Sequence, residues 1–274
     1  GEYRERYNNG VLDLDGSITH DSKNDLRGHI KSDANFHLDE RWRWGFNINR
    51  STDDTYLRRY DFPSNRILTT KAYAEGFSQR NYFAIESYAF QGTAIEDDPG
   101  QSPLVLPMIT YNYQSASSRY GSINTFNANS VIMTRKDGNN TRRLSADGGW
   151  HLPLISSRGD IAKLSFTTRG DLYHVSNLNM ENQPRKYTGF SGRIRPEVQV
   201  DWRFPLARQH GKISQTLEPL ASAIISPYGG NSAKIPNEDS INMEFDDTNL
   251  FSNNAFTGYD RIEGGARLKY GLKW

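Results

Sequence analysis

Apolar and polar residues alternate with a period of two along almost the whole chain, and helical spacing is nearly absent. From position 26 to 39, Leu26, Ile30, Ala34, Phe36 and Leu38 fall on even numbers, while Arg27, His29, Lys31, Asp33, Asn35, His37 and Asp39 fall on odd ones. The same split sets Trp42, Trp44, Phe46 and Ile48 against Arg41, Arg43, Asn47 and Asn49. It sets Ile194, Val198, Val200 and Trp202 against Arg193, Arg195, Glu197, Gln199, Asp201 and Arg203, and Leu268, Tyr270, Leu272 and Trp274 against Arg267, Lys269 and Lys273. Segments with this pattern are strands with one apolar and one wet face.

Turn residues between them place strands near 2–7, 11–19, 26–38, 41–51, 66–78, 81–92, 103–114, 121–134, 142–154, 162–176, 188–205, 212–227 and 262–274. Tight connections, such as 8–10, 38–41, 79–80 and 207–211, alternate with mostly longer ones, such as 20–25, 52–65, 93–101 and 229–261. An up-and-down meander has this rhythm when its short turns lie on one side and its long loops on the other, as in outer-membrane barrels. Runs of roughly 10 to 16 residues exceed the usual strand of a soluble sandwich and suit tilted membrane-crossing strands. The expected fold is therefore all-β, an antiparallel up-and-down transmembrane β-barrel segment of about 12–14 strands. Aromatic residues near strand ends, including Tyr82, Trp150, Trp202 and Trp274, suit interfacial girdles, and Pro107, Pro196 and Pro219 should mark bulges or local unpairing.

Composition changes this picture little. A mean hydropathy of −0.76 is compatible with a barrel, because only alternate residues face lipid. The 33 basic and 32 acidic residues balance, so no global field favours nucleic acid. With no cysteine there is neither a disulfide framework nor a thiolate metal site. The six histidines lack metal-ligand spacing, since His29 and His37 would lie roughly 26 Å apart along one strand. The pairs Asp53-Asp54, Asp97-Asp98 and Asp246-Asp247 sit in loops without a calcium-loop pattern, and no phosphate loop or nucleophile motif is present. Neither an enzyme nor a cofactor is expected. On the wet face Arg27, Lys31, Arg41, Arg43, Arg193, Arg195, Arg203, Arg267 and Lys269 would face a lumen, where they either meet acidic cargo or are neutralised by acids on the same face.

The stretch 229–261 is the exception to the alternation. At roughly 30 residues it is far beyond ordinary loop length, and its aromatic content argues against disorder, so it should fold onto something.

Two segments carry a family resemblance: STDDTYLRRYDF at 51–62 and DSINMEFDDTNLFSNNAFTGYDRIEGGARLKYGL at 239–272. With YRERYNNGVLDLDGSI, RGHIKSDANFHLDERWRWGFNI and SPLVLPMITYNY, they resemble, in order, the barrel of the lipopolysaccharide-assembly (LptD, organic solvent tolerance) family of Gram-negative outer membranes. The resemblance implies a barrel of about 26 strands, of which 1–274 would be a partial domain running from about the fourth to the sixteenth strand. The family's N-terminal jelly roll, which meets a periplasmic bridge, the C-terminal part of the barrel and the seam for lateral release would then lie outside these residues. Implied partners are lipopolysaccharide and a lipoprotein plug (LptE-like). Two loops that turn into the lumen would meet the plug, through Asp53, Asp54, Tyr56, Arg58, Tyr60 and Phe62 in 51–65, and through Phe245, Asp246, Asp247, Asn249, Leu250, Phe251, Tyr259 and Arg261 in 229–261. Two other functions fit the strand pattern: a self-contained outer-membrane porin or sugar channel, imitated by terminal Trp274, and a secreted β-sandwich carbohydrate-binding protein.

Overall fold

In the computed structural model, which describes residues 1–21, 25–181, 183–243 and 251–274, the alternating segments are strands of one large antiparallel sheet. They are β1 (Glu2–Tyr7), β2 (Gly10–His20), β3 (Leu26–His37), β4 (Trp42–Ser51), β5 (Ile67–Ser78), β6 (Asn81–Gly92), β7 (Leu104–Gln114), β8 (Ile123–Thr134), β9 (Asn140–Ile155), β10 (Ile161–Leu178), β11 (Tyr187–Arg203), β12 (Leu206–His210), β13 (Ile213–Ser226) and β14 (Gly265–Lys273). A single helical turn, α1 (Tyr56–Arg59), follows β4. Sequential strands are neighbours from β1 to β11, β11 is followed by β13, and both β12 and β14 pair with β13. Among the described residues no helix is long and apolar enough to cross a membrane, which leaves strand crossing untouched.

The sequence pattern becomes two faces through register. Pairings Ser17↔His29, Asp33↔Asn47, Arg43↔Glu75 and Lys71↔Tyr88 keep one set of residues on the wet side from β2 to β6. On the other side of these strands large apolar residues such as Ile18, Leu26 and Trp42 stand in the open; on β11 and β14 Ile194, Leu268 and Tyr270 are likewise open, Ile194 being 77% exposed. A soluble sandwich would cover this face with a second sheet. Here it is the surface that lipid covers in a transmembrane barrel.

The chain forms two compact units, the first comprising Gly1–Asn112, Asn129–Leu144 and His174–Gly189 and the second Tyr113–Ala128, Ser145–Tyr173 and Phe190–Trp274. In the first unit an aromatic row runs along the tight-turn ends of the apolar face. Tyr7 lies 5.6 Å from Phe36, Phe36 stacks at 5.0 Å on Trp44, and Trp42 meets Phe83 at 6.0 Å. Trp42 also covers Gly76, its register partner, which has no room for a Cβ of its own. This row has the composition and position of an interfacial girdle. Tyr82, expected in such a girdle, is on the other face, where its hydroxyl donates to Glu75 at 2.8 Å.

The β6–β7 register slips between Glu86 and Tyr88, opposite Pro107, as a bulge does. Pro219 keeps its place against Leu272 in β14. On the opposite edge of β13 the Phe204 N–H still donates to the Pro219 carbonyl at 3.1 Å, the ladder lapses at Pro205, and the β11 path resumes as β12, whose register continues unshifted from Arg203↔Leu220 to Leu206↔Leu217. The expected tight turn at 207–211 is thus wrong: most of it is strand, and the chain reverses after His210. Pro196 lies inside an unbroken β11, and the strand expected from 262 starts at Gly265.

Replacement of Ile194, near the middle of β11, by Arg should destabilise the protein in lipid vesicles by about 2–4 kcal/mol. Chemical unfolding of the full-length protein reads this directly, and a change near zero would mean that this face meets water.

Candidate functional site

The site comprises two loops, each folded back onto the wet face of its own unit. In the first unit the sequence TDDTY makes a tight turn because the Asp53 carboxylate accepts from the Thr55 backbone N–H (3.0 Å) and the Thr55 hydroxyl (2.8 Å). The same carboxylate receives the Arg27 guanidinium in a fork, Nε to Oδ2 at 2.8 Å and Nη2 to Oδ1 at 2.6 Å. Helix α1 then ends in a left-handed residue, Asp61, with φ of 58°. Phe62 N–H donates to Leu57 carbonyl at 2.8 Å and Asp61 N–H to Arg58 carbonyl at 3.4 Å, the paired bonds of a Schellman cap. This cap turns Phe62 back onto the sheet, where it meets His29 at 4.3 Å between ring centroids.

Tyr56 and Leu57 are buried with Leu68, and Phe62 packs partly against them. The Tyr56 hydroxyl hydrogen bonds Ser17 at 2.7 Å, Ser17 bonds His29 at 2.8 Å, and His29 bonds Asp15 at 3.0 Å. Arg58 donates to the Thr93 carbonyl at 3.0 Å. Tyr60 stays partly exposed and Asp54 is half-buried. Arg27 holds the Asp53 carboxyl far below the usual carboxylate range, with Thr55 adding to the effect and partial burial opposing it.

In the second unit the loop between β13 and β14 is fastened by buried charge. Asp171, on β10, accepts from Arg169 at 3.0 Å and from Arg193 of β11 at 2.6 Å. The two guanidiniums then reach the loop. Both donate to the Tyr259 carbonyl at 2.5 Å, and Arg193 donates further to the Asp260 carbonyl at 2.9 Å and to Gly230 at 3.2 Å. Asp260 is fully buried, taking bonds from the Tyr173 hydroxyl at 3.1 Å and the Glu238 and Asp239 backbone N–H groups at 2.7 and 3.1 Å.

Asn231 pairs with the backbone of Ile262 as another strand would, donating at 2.7 Å and accepting at 3.0 Å. Nearer the other edge, Glu197 gathers Arg195 and Arg267, the latter at 2.8 Å. Arg267 continues to the Asn253 carbonyl at 3.0 Å, and Lys269 to the Ser252 carbonyl. Phe251 lies over Gly271, where a Cβ would stand 3.4 Å from its ring. Arg261 donates to the Ile235 carbonyl at 3.4 Å.

These contacts place the residues singled out in the sequence. Arg27, Arg193, Arg195 and Arg267 are buried or nearly so and paired, Arg43 pairs with Glu75 at 2.5 Å, and Arg203 reaches Glu218 at 3.6 Å while mostly exposed. Lys31 is exposed beside a cavity of about 810 Å³ that Asp13, His29 and Phe62 also line, and Arg41 sits exposed at a tight turn. Phe245, Asp246, Asp247, Asn249 and Leu250 lie outside the described residues. The sequence reading missed the sheet-side receptors Ser17, Asp15 and Tyr173 and the loop centre Asp260. The available signal was the alternation that puts Arg169 and Asp171 on one polar face, opposite Leu172.

Removing Arg193 takes one of two guanidiniums from buried Asp171 and from the Tyr259 carbonyl, and with them the bond to the Asp260 carbonyl. Arg193→Ala should therefore cost about 3–5 kcal/mol in chemical unfolding, with Arg193→Lys recovering only part because it lacks the fork. The Asp53 clamp sets a pH dependence. Its folded pKa lies below the unfolded one, so its stabilisation is complete above the ordinary carboxylate range and is lost as pH falls through the lowered value. Proteolysis within 52–66 should be equal at about pH 7 and pH 5 and rise only in stronger acid, whereas Asp53→Asn should be cut faster at both.

A family model described as LPS transport system D matches residues 25–274. An LPS-assembly protein LptD of Escherichia coli O1:K1 / APEC is 26% identical over 249 residues, covering 86% of this chain and 31% of its own length. The LPS-assembly proteins LptD of Escherichia coli strain K12 and of Shigella boydii serotype 4 are each 25% identical over the same coverage. The chain thus spans under a third of these relatives. With the model matched over nearly every residue of this strand-built chain, it belongs to the LptD family.

Proposed function

We propose that this chain is the part of a lipopolysaccharide translocon barrel that carries the plug-facing loops, in a protein that inserts lipopolysaccharide into the outer leaflet. The chain is an outer-membrane protein of a Gram-negative bacterium. The observation that carries the reading is the back-folding of both long loops onto the wet face, held there by Arg27–Asp53 in one and by Arg193 and Asp260 in the other. Loops fixed in this way narrow a lumen and offer a rigid surface to a protein seated inside it. Membership of the LptD family supports this reading over a self-contained porin or sugar channel, and the uncovered apolar face argues against a soluble sandwich.

The fastening also divides each loop into anchoring and presenting residues. Asp53, Tyr56, Phe62, Tyr259 and Arg261 are engaged with their own chain, so they act on a partner only by shaping the loop. Ile241 is different: its backbone is tied to Thr257 at 3.0 Å, yet its side chain is 73% exposed. An apolar side chain displayed on an ordered loop is the kind of anchor a lipoprotein plug would cover. In the full-length protein, Ile241→Asp should reduce co-purification of the lipoprotein by about tenfold, the effect of roughly 1.4 kcal/mol. Delivery of lipopolysaccharide to the surface of cells depending on the variant should fall with it. Unchanged co-purification and delivery would overturn the reading.

A further inference from the structure

On the apolar face of the first unit, near the long-loop ends of β2, β3 and β4, there is a depression of about 330 Å³. Its floor is backbone at Gly28, because a Cβ there would come within 2.5 Å of the Ser17 carbonyl oxygen. Its walls are Ile18, Leu26 and Ile30, and Arg50 stands at its rim as the register partner of Ile30. Registers Ile18↔Gly28 and Ile30↔Arg50 put all of these positions opposite to Arg27 and His29, hence on the lipid side. Arg50 is exposed, and no ion pair or hydrogen bond to its guanidinium exists among the described residues.

A guanidinium on a lipid-facing surface is tolerable at the interface and costly deeper, and one place from the end of its strand Arg50 is at the interface. Its five donors suit an anionic oxygen group, above all a phosphate, and the bare apolar seat beneath it suits an acyl chain. We infer that the Gly28 depression and Arg50 together bind one resident phosphorylated lipid, the lipid anchor of a lipopolysaccharide molecule in the outer leaflet. The chain packs on Ile18, Leu26 and Ile30, and the phosphate meets Arg50. This site lies on the outside of the barrel and is separate from any transport route. It rests on the preceding reading only for which leaflet surrounds the long-loop side.

The test uses full-length protein in mild detergent, titrated with bisphosphorylated lipid A, its dephosphorylated form or phosphatidylglycerol, with bound lipid counted by native mass spectrometry. Lipid A should bind the wild type at least about tenfold more tightly than Arg50→Ala, with Arg50→Lys between them, while the dephosphorylated form binds wild type and Arg50→Ala alike. Arg50→Ala removes no described contact, so equal melting temperatures would show that it is folded. Binding of lipid A to Arg50→Ala within twofold of wild type overturns the inference, and so does an equal Arg50 dependence for phosphatidylglycerol. Surface delivery of lipopolysaccharide, measured separately, reports on the preceding reading: absent delivery with intact Arg50-dependent binding would sink that reading and leave this one standing.

Discussion

A guanidinium buried on the wet face of a sheet has to be paired, and Arg193 is paired so that it joins strand to loop. Its Nε is committed to Asp171, and its remaining donors go to carbonyls of Gly230, Tyr259 and Asp260. Because Asp171 also holds Arg169, and Arg169 donates to the same Tyr259 carbonyl, the cluster is closed: each group satisfies another that burial would otherwise penalise. Closure explains how a stretch without strand pairing or a large apolar core is held in place. The Arg27–Asp53 fork does the same for the first loop with fewer bonds and more solvent, supported by Tyr56, Leu57 and Phe62.

The two faces therefore have different jobs. The wet face uses buried charge to fix loops, so its arginines are mostly spent on structure rather than left as a track for cargo. The apolar face keeps its side chains in the open, with the Tyr7, Phe36, Trp44, Trp42 and Phe83 row at the tight-turn ends and Arg50 at the long-loop end of β4. Aromatic rings at one border and an exposed cation near the other are what an asymmetric membrane would select.

Period-two alternation was enough to read most of the strands, because a strand half in contact with lipid must repeat its apolar residues every second position. It could not reveal α1, since four residues carry no helical period, nor β12, whose LARQH has no buried face. Aromatic character misled at Tyr82, suggesting the apolar side where a hydrogen bond to Glu75 holds it on the wet one, with Glu86 of the same parity. The loop at 229–261 was recognisable as folded from its aromatic content and the loop at 51–65 only through the family resemblance, while Asp53 stood out as one of an acidic pair. Their anchoring was not recognisable, since partners such as Arg193 and Asp260, or Ser17 and Tyr56, are far apart in sequence and are brought together only by strand register and loop reversal.

The Arg193–Asp171 cluster holds the loop between β13 and β14 in one fixed arrangement against the wet face of its own unit. That fixity is tested by thiol labelling, since residues 1–274 contain no cysteine, once any cysteine elsewhere in the full-length protein has been replaced by serine. Single variants Ile235→Cys, Ile262→Cys and Ile241→Cys in the full-length protein would be exposed to a small water-soluble alkylating reagent. Ile235 and Ile262 are almost completely buried and Ile241 is open, so the first two cysteines should react slowly and the third rapidly. Equal rates at all three positions would contradict the account.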